Sequence, residues 1–179
     1  MRIMPDEKTW PVSITPDNYP EFISKSSEHI VRKAKDMAGY FKEKADPDTL
    51  IYDVFEAETV GHIKLALTVM KPGKIGNEFY MTKGHFHEDD KAGEVYFGIK
   101  GQGMIIMQTK DGQTDEISIA PGAVAYIPPG WAHRTINVGK EEFIMVAIYP
   151  ETAGHDYDSI QEKGFIKRVF DVDGQVQVI

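Results

Sequence analysis

Cysteine is absent from all 179 residues of the sequence. No disulfide can form, and no thiolate can act as a nucleophile or a metal ligand, so a bound metal must be held by nitrogen and oxygen atoms. Chains without disulfides are typical of reducing compartments. The N-terminal residues also lack the apolar core of a signal peptide. We therefore expect a soluble, cytoplasmic protein.

Long apolar runs and an excess of basic charge are missing as well. An apolar stretch such as residues 143–148 is far shorter than the roughly 20 residues that a membrane helix needs. The 28 acidic residues outnumber the 20 basic ones, which gives a net charge of −8. No basic stripe suited to nucleic acid is visible. We expect neither a membrane span nor a nucleic-acid partner.

The N-terminal region is rich in proline, which disfavours a helix in the first twenty residues. The prolines are Pro5, Pro11, Pro16 and Pro20. A helix is predicted over residues 28–41, because apolar side chains recur there at three- and four-residue spacing, with Ser26 or Ser27 as its cap.

The length fits one domain covering residues 1–179. Residues 1–50 form an N-terminal extension in this interpretation, and their helix packs on the outside of the domain.

From residue 50 onward the pattern changes to short strands separated by turn signals. The ranges predicted as strands are 50–58, 62–70, 79–82, 94–99, 104–110, 114–119, 123–127, 134–138, 143–149 and 165–171. Asp111–Gly112 is a typical hairpin turn between two of them. So many short strands with evenly spaced turns predict a β-sandwich or a closed barrel.

Three histidines and a glutamate form a candidate metal site. His85 and His87 are two residues apart beside a strand-like stretch, so both imidazoles can point to the same face. Glu94 opens the next strand, and His133 follows about forty residues later. Three imidazoles and one carboxylate suit Fe, Mn, Ni or Zn and leave coordination positions open for a substrate.

The residues around this site resemble the two sequence motifs of the cupin family. The first motif contains His85, His87, Glu94 and Gly101, and the second contains Gly122, Pro128, Gly130, His133 and Asn137. Six residues separate His87 from Glu94, which is more than in most cupins. This longer spacing limits the number of cupin subfamilies that the chain can resemble. The resemblance implies an all-β cupin fold, a double-stranded β-helix or jelly-roll barrel with one or two peripheral helices.

Within the cupins, the chain resembles the glucose-6-phosphate isomerases of archaea. The stretches that carry this resemblance are 82–87 with 94–96, then 128–135, and then 148–165. It implies interconversion of glucose 6-phosphate and fructose 6-phosphate in glycolysis and gluconeogenesis, with a sugar phosphate as substrate. It also implies a homodimer and one divalent metal per subunit, with Fe²⁺ favoured and Ni²⁺, Mn²⁺ or Zn²⁺ as alternatives.

The same resemblance assigns roles to individual residues. The metal polarises the sugar oxygens, and Glu94 is both a metal ligand and the base. The hydrogen is transferred between C1 and C2 either as a proton through an enediol or directly as a hydride, and the sequence leaves both routes open. Tyr96 and His155 assist catalysis. Tyr96 is placed either to form a hydrogen bond with a sugar oxygen or simply to fill the barrel interior, and His155 assists ring opening or orients the sugar. The residues implied in substrate binding are Tyr52, Thr68, Thr82, Gly84 and Tyr149.

Other functions are compatible with a cupin metal site, since one fold serves many reactions. A mannose-phosphate isomerase and a dioxygenase are the enzyme alternatives, and a dioxygenase would consume oxygen. A non-catalytic sugar-binding module would bind substrate without turnover. A regulator of that kind normally carries a helix-turn-helix segment, and the first fifty residues offer none.

Overall fold

The chain is composed mainly of antiparallel strands. A computed structural model describes residues 12–26, 28–57 and 61–179. The strands are β1 (Glu28–Lys33), β2 (Leu50–Glu56), β3 (Ile63–Met70), β4 (Lys74–Ile75), β5 (Glu78–Phe79), β6 (Glu94–Lys100), β7 (Gly103–Thr109), β8 (Thr114–Ile119), β9 (Val124–Ile127), β10 (Trp131–Asn137), β11 (Phe143–Pro150), β12 (Val169–Val172) and β13 (Gln175–Val178). Two short helices, α1 (Tyr19–Lys25) and α2 (Asp158–Lys163), lie outside them, and a 3₁₀ turn covers Ala34–Met37.

The strands form three sheets around one main core. The six-stranded sheet has the order β1-β2-β3-β11-β6-β9, the three-stranded sheet β10-β7-β8, and the four-stranded sheet β13-β12-β5-β4. Buried side chains from the first two sheets, including Met70, Met145, Ile105 and Ile136, pack into the same apolar cluster. Burial of this apolar surface is the main stabilising contribution. The predicted all-β barrel with peripheral helices is confirmed.

Eight of the ten predicted strands are confirmed as β2, β3 and β6 to β11. The predicted hairpin is also present: the amide of Thr109 donates to the carbonyl of Gln113, and Gly112 has a φ of 92°. That backbone conformation is easily reached only by glycine. The local turn chemistry therefore predicted this part of the fold correctly.

The helix predicted over residues 28–41 is wrong. Residues Glu28–Lys33 form β1, which pairs antiparallel with β2, and only Ala34–Met37 turn into a short 3₁₀ segment. The backbone groups of β1 bond to β2 across the sheet, and this long-range pairing outweighs a helical spacing of apolar residues. Ser26 follows the end of α1 instead of starting a helix, and Ser27 lies outside the described residues.

The ends of the chain differ from the prediction in smaller ways. Pro20 lies in the first turn of α1, where its missing amide costs nothing, while Pro5 and Pro11 fall outside the described residues. The strand predicted over 165–171 begins only at Val169, and the one predicted over 79–82 shortens to Glu78–Phe79. Helix α2 and strand β13 were not predicted.

The outer face of the six-stranded sheet carries a second apolar cluster. Phe22 of α1 packs there against side chains that include Leu67 and Val146. Helix α1 thus covers part of this face. Among the described residues, no helix is both long enough and apolar enough to cross a membrane.

Candidate active site

Backbone pairing brings the predicted metal ligands together. His85 lies in the segment between β5 and β6 and exchanges two backbone hydrogen bonds with His133 of β10, at 3.3 and 3.1 Å. Glu94 is the first residue of β6. One ligand atom from each of His85, His87, Glu94 and His133 lies within 4.8 Å of the others. The sequence pattern had placed these four residues at one point, and the structure does the same.

The imidazole orientations are fixed by backbone carbonyls behind the site. Nδ1 of His87 lies 2.9 Å from the carbonyl of Ala92, and Nδ1 of His133 lies 3.2 Å from the carbonyl of Trp131. A carbonyl can only accept, so each Nδ1 carries the hydrogen and each Nε2 of a neutral ring presents a lone pair.

The Nε2 atoms face the carboxylate of Glu94. Oε2 of Glu94 lies 3.2 Å from Nε2 of His87 and 2.9 Å from Nε2 of His133. His133 and Glu94 are within ion-pair distance, but their atoms do not have the geometry of a hydrogen bond. Within the described part of the chain, the buried Nε2 atoms of His85 and His133 have no hydrogen-bond partner. Buried polar atoms are nearly always satisfied, and a divalent cation would satisfy these two. The donor set therefore fits a transition metal.

Burial and mutual charge prepare the ligands for a cation. Burial, together with the neighbouring imidazoles, holds the pKa of His85 well below its usual value, so His85 is neutral at neutral pH. Burial disfavours the charged form of Glu94, but His133 and His87 outweigh it and lower the pKa of this carboxyl. Burial acts against the charged form of His87 too, yet its bonds to Glu94 and Ala92 raise the pKa of this imidazole. A carboxylate and a neutral imidazole are thus ready to bind a metal.

A cavity of about 330 Å³ opens beside this cluster. His85, Glu94 and His133 line it from the metal side. The other predicted site residues that line it are Tyr52, Thr68, Thr82, Gly84, Tyr96, Tyr149 and His155. The structure therefore brings every predicted substrate contact to one cavity, although their roles in binding stay predictions.

Two alanines create the space for the cavity. Glu56 of β2 is paired with Ala66 of β3, Ala66 with Ala147 of β11, and Ala147 with Tyr96 of β6. Paired residues in antiparallel strands point to the same face, so these four form a row across the sheet. The short side chains of Ala66 and Ala147 make a low floor between Glu56 and Tyr96.

The segment before His85 is held in place by Arg134. This buried guanidinium donates to the carbonyl of Lys83 from Nε at 3.1 Å and from Nη2 at 2.6 Å. Gly84 follows with a φ of +71°, and a Cβ there would lie 2.6 Å from the ring of Phe165. Only glycine fits this position. The backbone around Thr82 and Gly84 is thereby fixed against the cavity wall.

His155 lies at the rim of the cavity, where its side chain is partly exposed and partly covered by neighbouring rings. Its ring is 4.4 Å from that of His85 and is stacked with that of Tyr157 at 5.6 Å. Burial is the main cause that lowers the pKa of His155, so the ring is neutral at neutral pH. A neutral imidazole can both accept and donate a proton.

Several residues that line the cavity were missed by the sequence interpretation. Arg32 and Lys83 line it, as do Glu56 and Tyr157. Arg32 was hidden because its segment was predicted to be helical. The alternation of Ile30 and Arg32 with His29 and Val31 is the signal that a strand interpretation would have used.

Comparison with known proteins places these features in a family. A family model described as glucose-6-phosphate isomerase matches residues 24–178. The glucose-6-phosphate isomerase of Thermococcus kodakarensis is 46% identical over 162 residues, which cover 86% of each chain. That of Pyrococcus furiosus is 46% identical over 169 residues, which cover 88% of each chain.

A solved structure supports the fold. Oxalate oxidase in complex with the substrate analogue glycolate superimposes with a TM-score of 0.51 at 21% identity. The match covers 61% of this chain and 56% of the oxalate oxidase chain, which is less than two thirds of its length. At this identity the likeness concerns the fold alone, and the predicted cupin barrel is confirmed.

Proposed function

The chain belongs to the glucose-6-phosphate isomerase family, and from this premise we propose that it interconverts D-glucose 6-phosphate and D-fructose 6-phosphate. The observation that carries the proposal is the convergence of His85, His87, Glu94 and His133 on one point in a family member, beside a cavity that all but His87 line. The reaction belongs to glycolysis and gluconeogenesis. A cytoplasmic location, which the cysteine-free composition favours, is part of the same proposal.

The four clustered residues would hold one divalent metal, and Fe²⁺ is the first choice among the ions that such ligands accept. When bound, the metal supplies a Lewis acid for the oxygens of the sugar. Neutral imidazoles and an ionised carboxylate are the ligand forms that this requires, and the pKa directions of His85 and Glu94 support both.

Glu94 moves the proton between C1 and C2. Its carboxylate is 5% exposed, and it lines the cavity where the sugar carbons would lie. The lowered pKa of Glu94 keeps it ionised, as a base must be before it accepts a proton. Burial raises the pKa of Tyr96 far above its usual value, so its hydroxyl stays a donor that can hold a sugar oxygen. Neutral His155 assists opening of the sugar ring.

The phosphate binds at the opposite end of the cavity. Thr68, Thr82 and the amide of Gly84 supply uncharged contacts, and Arg32 and Lys83 supply positive charge. Burial raises the pKa of the Tyr52 hydroxyl to about 12, so Tyr52 can donate to the phosphate throughout the physiological range.

The proposal is tested with Glu94→Gln in an assay that couples fructose 6-phosphate conversion to a dehydrogenase. This variant is expected to retain some metal but to lose at least about a hundredfold in turnover, the typical contribution of a positioned base. Glu141→Gln, at a side chain that is 64% exposed, is the matched control. Turnover of Glu94→Gln at the parent rate would show that another group is the base.

We also propose that the protein is a homodimer and that the chain from residue 1 to 179 acts as one cupin domain. The pairing of β1 with β2 supports including the N-terminal segment in the barrel. The outer face of the six-stranded sheet supports the dimer. Ile63, Val124, Tyr126 and Ile148 lie on this face and are between 37% and 66% exposed. A second copy of the chain would cover them through a two-fold contact.

A further inference from the structure

A second cavity, of about 210 Å³, lies behind strand β10. His133 of β10 lines the first cavity, and the next residue, Arg134, lines the second. Successive side chains of a strand point to opposite faces, so the two cavities are on opposite sides of β10. Residues 38–40, the end of α2 and Phe165 form the other walls of the second cavity. The function proposed above gives this cavity no role.

Arg134 brings a buried positive charge to the second cavity. The residue is 2% exposed, and its Nε and Nη2 donate to the carbonyl of Lys83. Its Cζ lies 4.4 Å from the ring centre of Phe165 and 5.5 Å from that of Tyr40. A carbonyl and aromatic faces offer a cation partial charges only. Within the described part of the chain, no carboxylate lies at ion-pair distance from Arg134.

The carboxylates in the neighbourhood do not supply this missing partner. Glu78, which is 2% exposed, accepts from Nε and from Nη2 of Arg168, both at 2.7 Å, so its charge is already paired. Asp158 acts on the pKa of Tyr40, but it does not line the cavity. Arg168 itself lines the cavity beside Arg134. Cationic charge is therefore in excess here.

The charge of Arg134 is present at neutral pH. Burial, together with the charge of Arg168, lowers the pKa of Arg134 only to about 10. A buried charge without a counter-charge costs free energy, which an anion in the cavity would reduce. A divalent metal at the candidate site would exceed the single negative charge of Glu94. It would therefore add positive charge on the far side of β10 and favour an anion further.

We propose that the second cavity binds a small carboxylate with a short apolar body. Among the described residues, Nη1 of Arg134 has no hydrogen-bond partner, so it is free to donate to the carboxylate. The body packs against Tyr40, Ile160 and Phe165. These apolar walls favour an organic acid over inorganic phosphate, which has no hydrocarbon to bury. The inference does not depend on the proposed isomerase activity.

The test compares butyrate with butyramide, which has nearly the same shape but no charge. Dissociation constants are measured by NMR titration of the metal-loaded protein at constant ionic strength. Butyrate is expected to bind with a constant of about 1 mM, as suits a ligand of so few atoms. Butyramide is expected to bind at least about tenfold more weakly, because it forms no charge-assisted bond with a guanidinium.

A variant at the cavity wall locates the binding site. Gln161 lines the second cavity and is exposed, so Gln161→Glu places a carboxylate there without disturbing the core. This carboxylate repels a bound anion or pairs with Arg134 itself, and it is expected to weaken butyrate about tenfold. Butyrate held by the metal in the first cavity would not respond to this variant.

Gln177→Glu is the matched control, because it makes the same change at an exposed position of β13 that lines neither cavity. It should leave the butyrate constant within about twofold of the parent value. Equal affinity of the parent and Gln161→Glu for butyrate would overturn the inference. Equal affinity of the parent for butyrate and butyramide would do the same, as would the absence of butyrate binding at about 50 mM.

Discussion

Arg32 brings a full positive charge to a cavity whose other proposed phosphate contacts are mostly hydroxyls and a backbone amide. Its position on β1 is fixed by pairing with Tyr52, a residue predicted to contact the substrate. Hydrogen bonds from a charged donor contribute more to binding than neutral ones. Arg32 is therefore the side chain whose charge should matter most for substrate affinity.

Replacing Arg32 with Gln is expected to raise KM for fructose 6-phosphate roughly tenfold to a hundredfold and to change kcat little. The reason is that the phosphate lies away from the reacting carbons and contributes binding that is equal in the ground state and the transition state. Steady-state kinetics measures the two parameters separately. Lys35→Gln removes an exposed cation nearby as a control. A loss confined to kcat would contradict the phosphate assignment.

At the scale of elements, helix α2 and the segment before it carry His155 to the cavity. Asp156 exchanges backbone hydrogen bonds with Phe86, which lies between the ligands His85 and His87. Its side chain accepts from the amide of Ser159 at 3.1 Å and from the hydroxyl of Ser159 at 2.6 Å. The N-cap residue Tyr157 makes no side-chain cap bond, so the side chain of Asp156, one residue earlier, caps the first turn of α2 and connects it to the candidate metal site.

Replacing Asp156 with Ala is expected to destabilise the start of α2 by about 1 kcal/mol and to lower kcat, because His155 loses its fixed position. Hydrogen exchange of the α2 amides and steady-state kinetics measure the two effects. Ser24→Ala, at an exposed position of helix α1, serves as a control outside the cavity. Unchanged exchange in α2 would show that the cap is dispensable.

The same cap predicts a dependence on pH. The two hydrogen bonds from Ser159 lower the pKa of Asp156 below its usual value of 3.8. The contribution of the cap is therefore fully present above that value and is lost as the pH falls through the lowered pKa. Thermal unfolding of the parent and of Asp156→Asn should differ near neutral pH and converge in acid.

At the scale of the whole molecule, a bound metal would connect three separate parts of the chain. The ligands come from the segment before β6, from β6 itself and from β10. A metal that binds only the folded state stabilises it, by about 4 kcal/mol at a thousand times its dissociation constant.

Removal of the metal with a chelator is expected to lower the melting temperature by roughly 10 °C, given about 2–4 °C per kcal/mol for a domain of this size. Scanning calorimetry before and after chelation, with single metals added back, measures the shift. His133→Ala should melt at the same temperature with and without chelator. An unchanged melting temperature of the parent would mean that these residues hold no stabilising metal.

The outer apolar face gives a second prediction at this scale. Tyr126→Glu places a charge on the edge strand of a surface that Val95 and Ile148 continue in register, so the dimer should dissociate. Light scattering is expected to change from twice the chain mass of 20.1 kDa to that mass. Val176→Glu, at an exposed position on β13, is the control. A parent chain that is already monomeric would rule out the dimer.

The sequence by itself determined the candidate metal ligands and most of the strands. His85 and His87 share a face because side chains alternate along an extended chain, and Gly112 fixes a hairpin because few other residues adopt its backbone conformation. These are local properties of the chain, so they can be predicted from the order of residues in the sequence. The convergence of Glu94 and His133 on the two histidines followed from the cupin spacing.

Only the tertiary structure decided where β1 lies and which charges face the cavity. The helical spacing of residues 28–41 is genuine, yet pairing with β2 makes this segment a strand and turns Arg32 inward. Glu56 faces the same cavity because its row passes over Ala66 and Ala147. Such relations depend on hydrogen bonds between segments far apart in the chain, and no local pattern of residues encodes them.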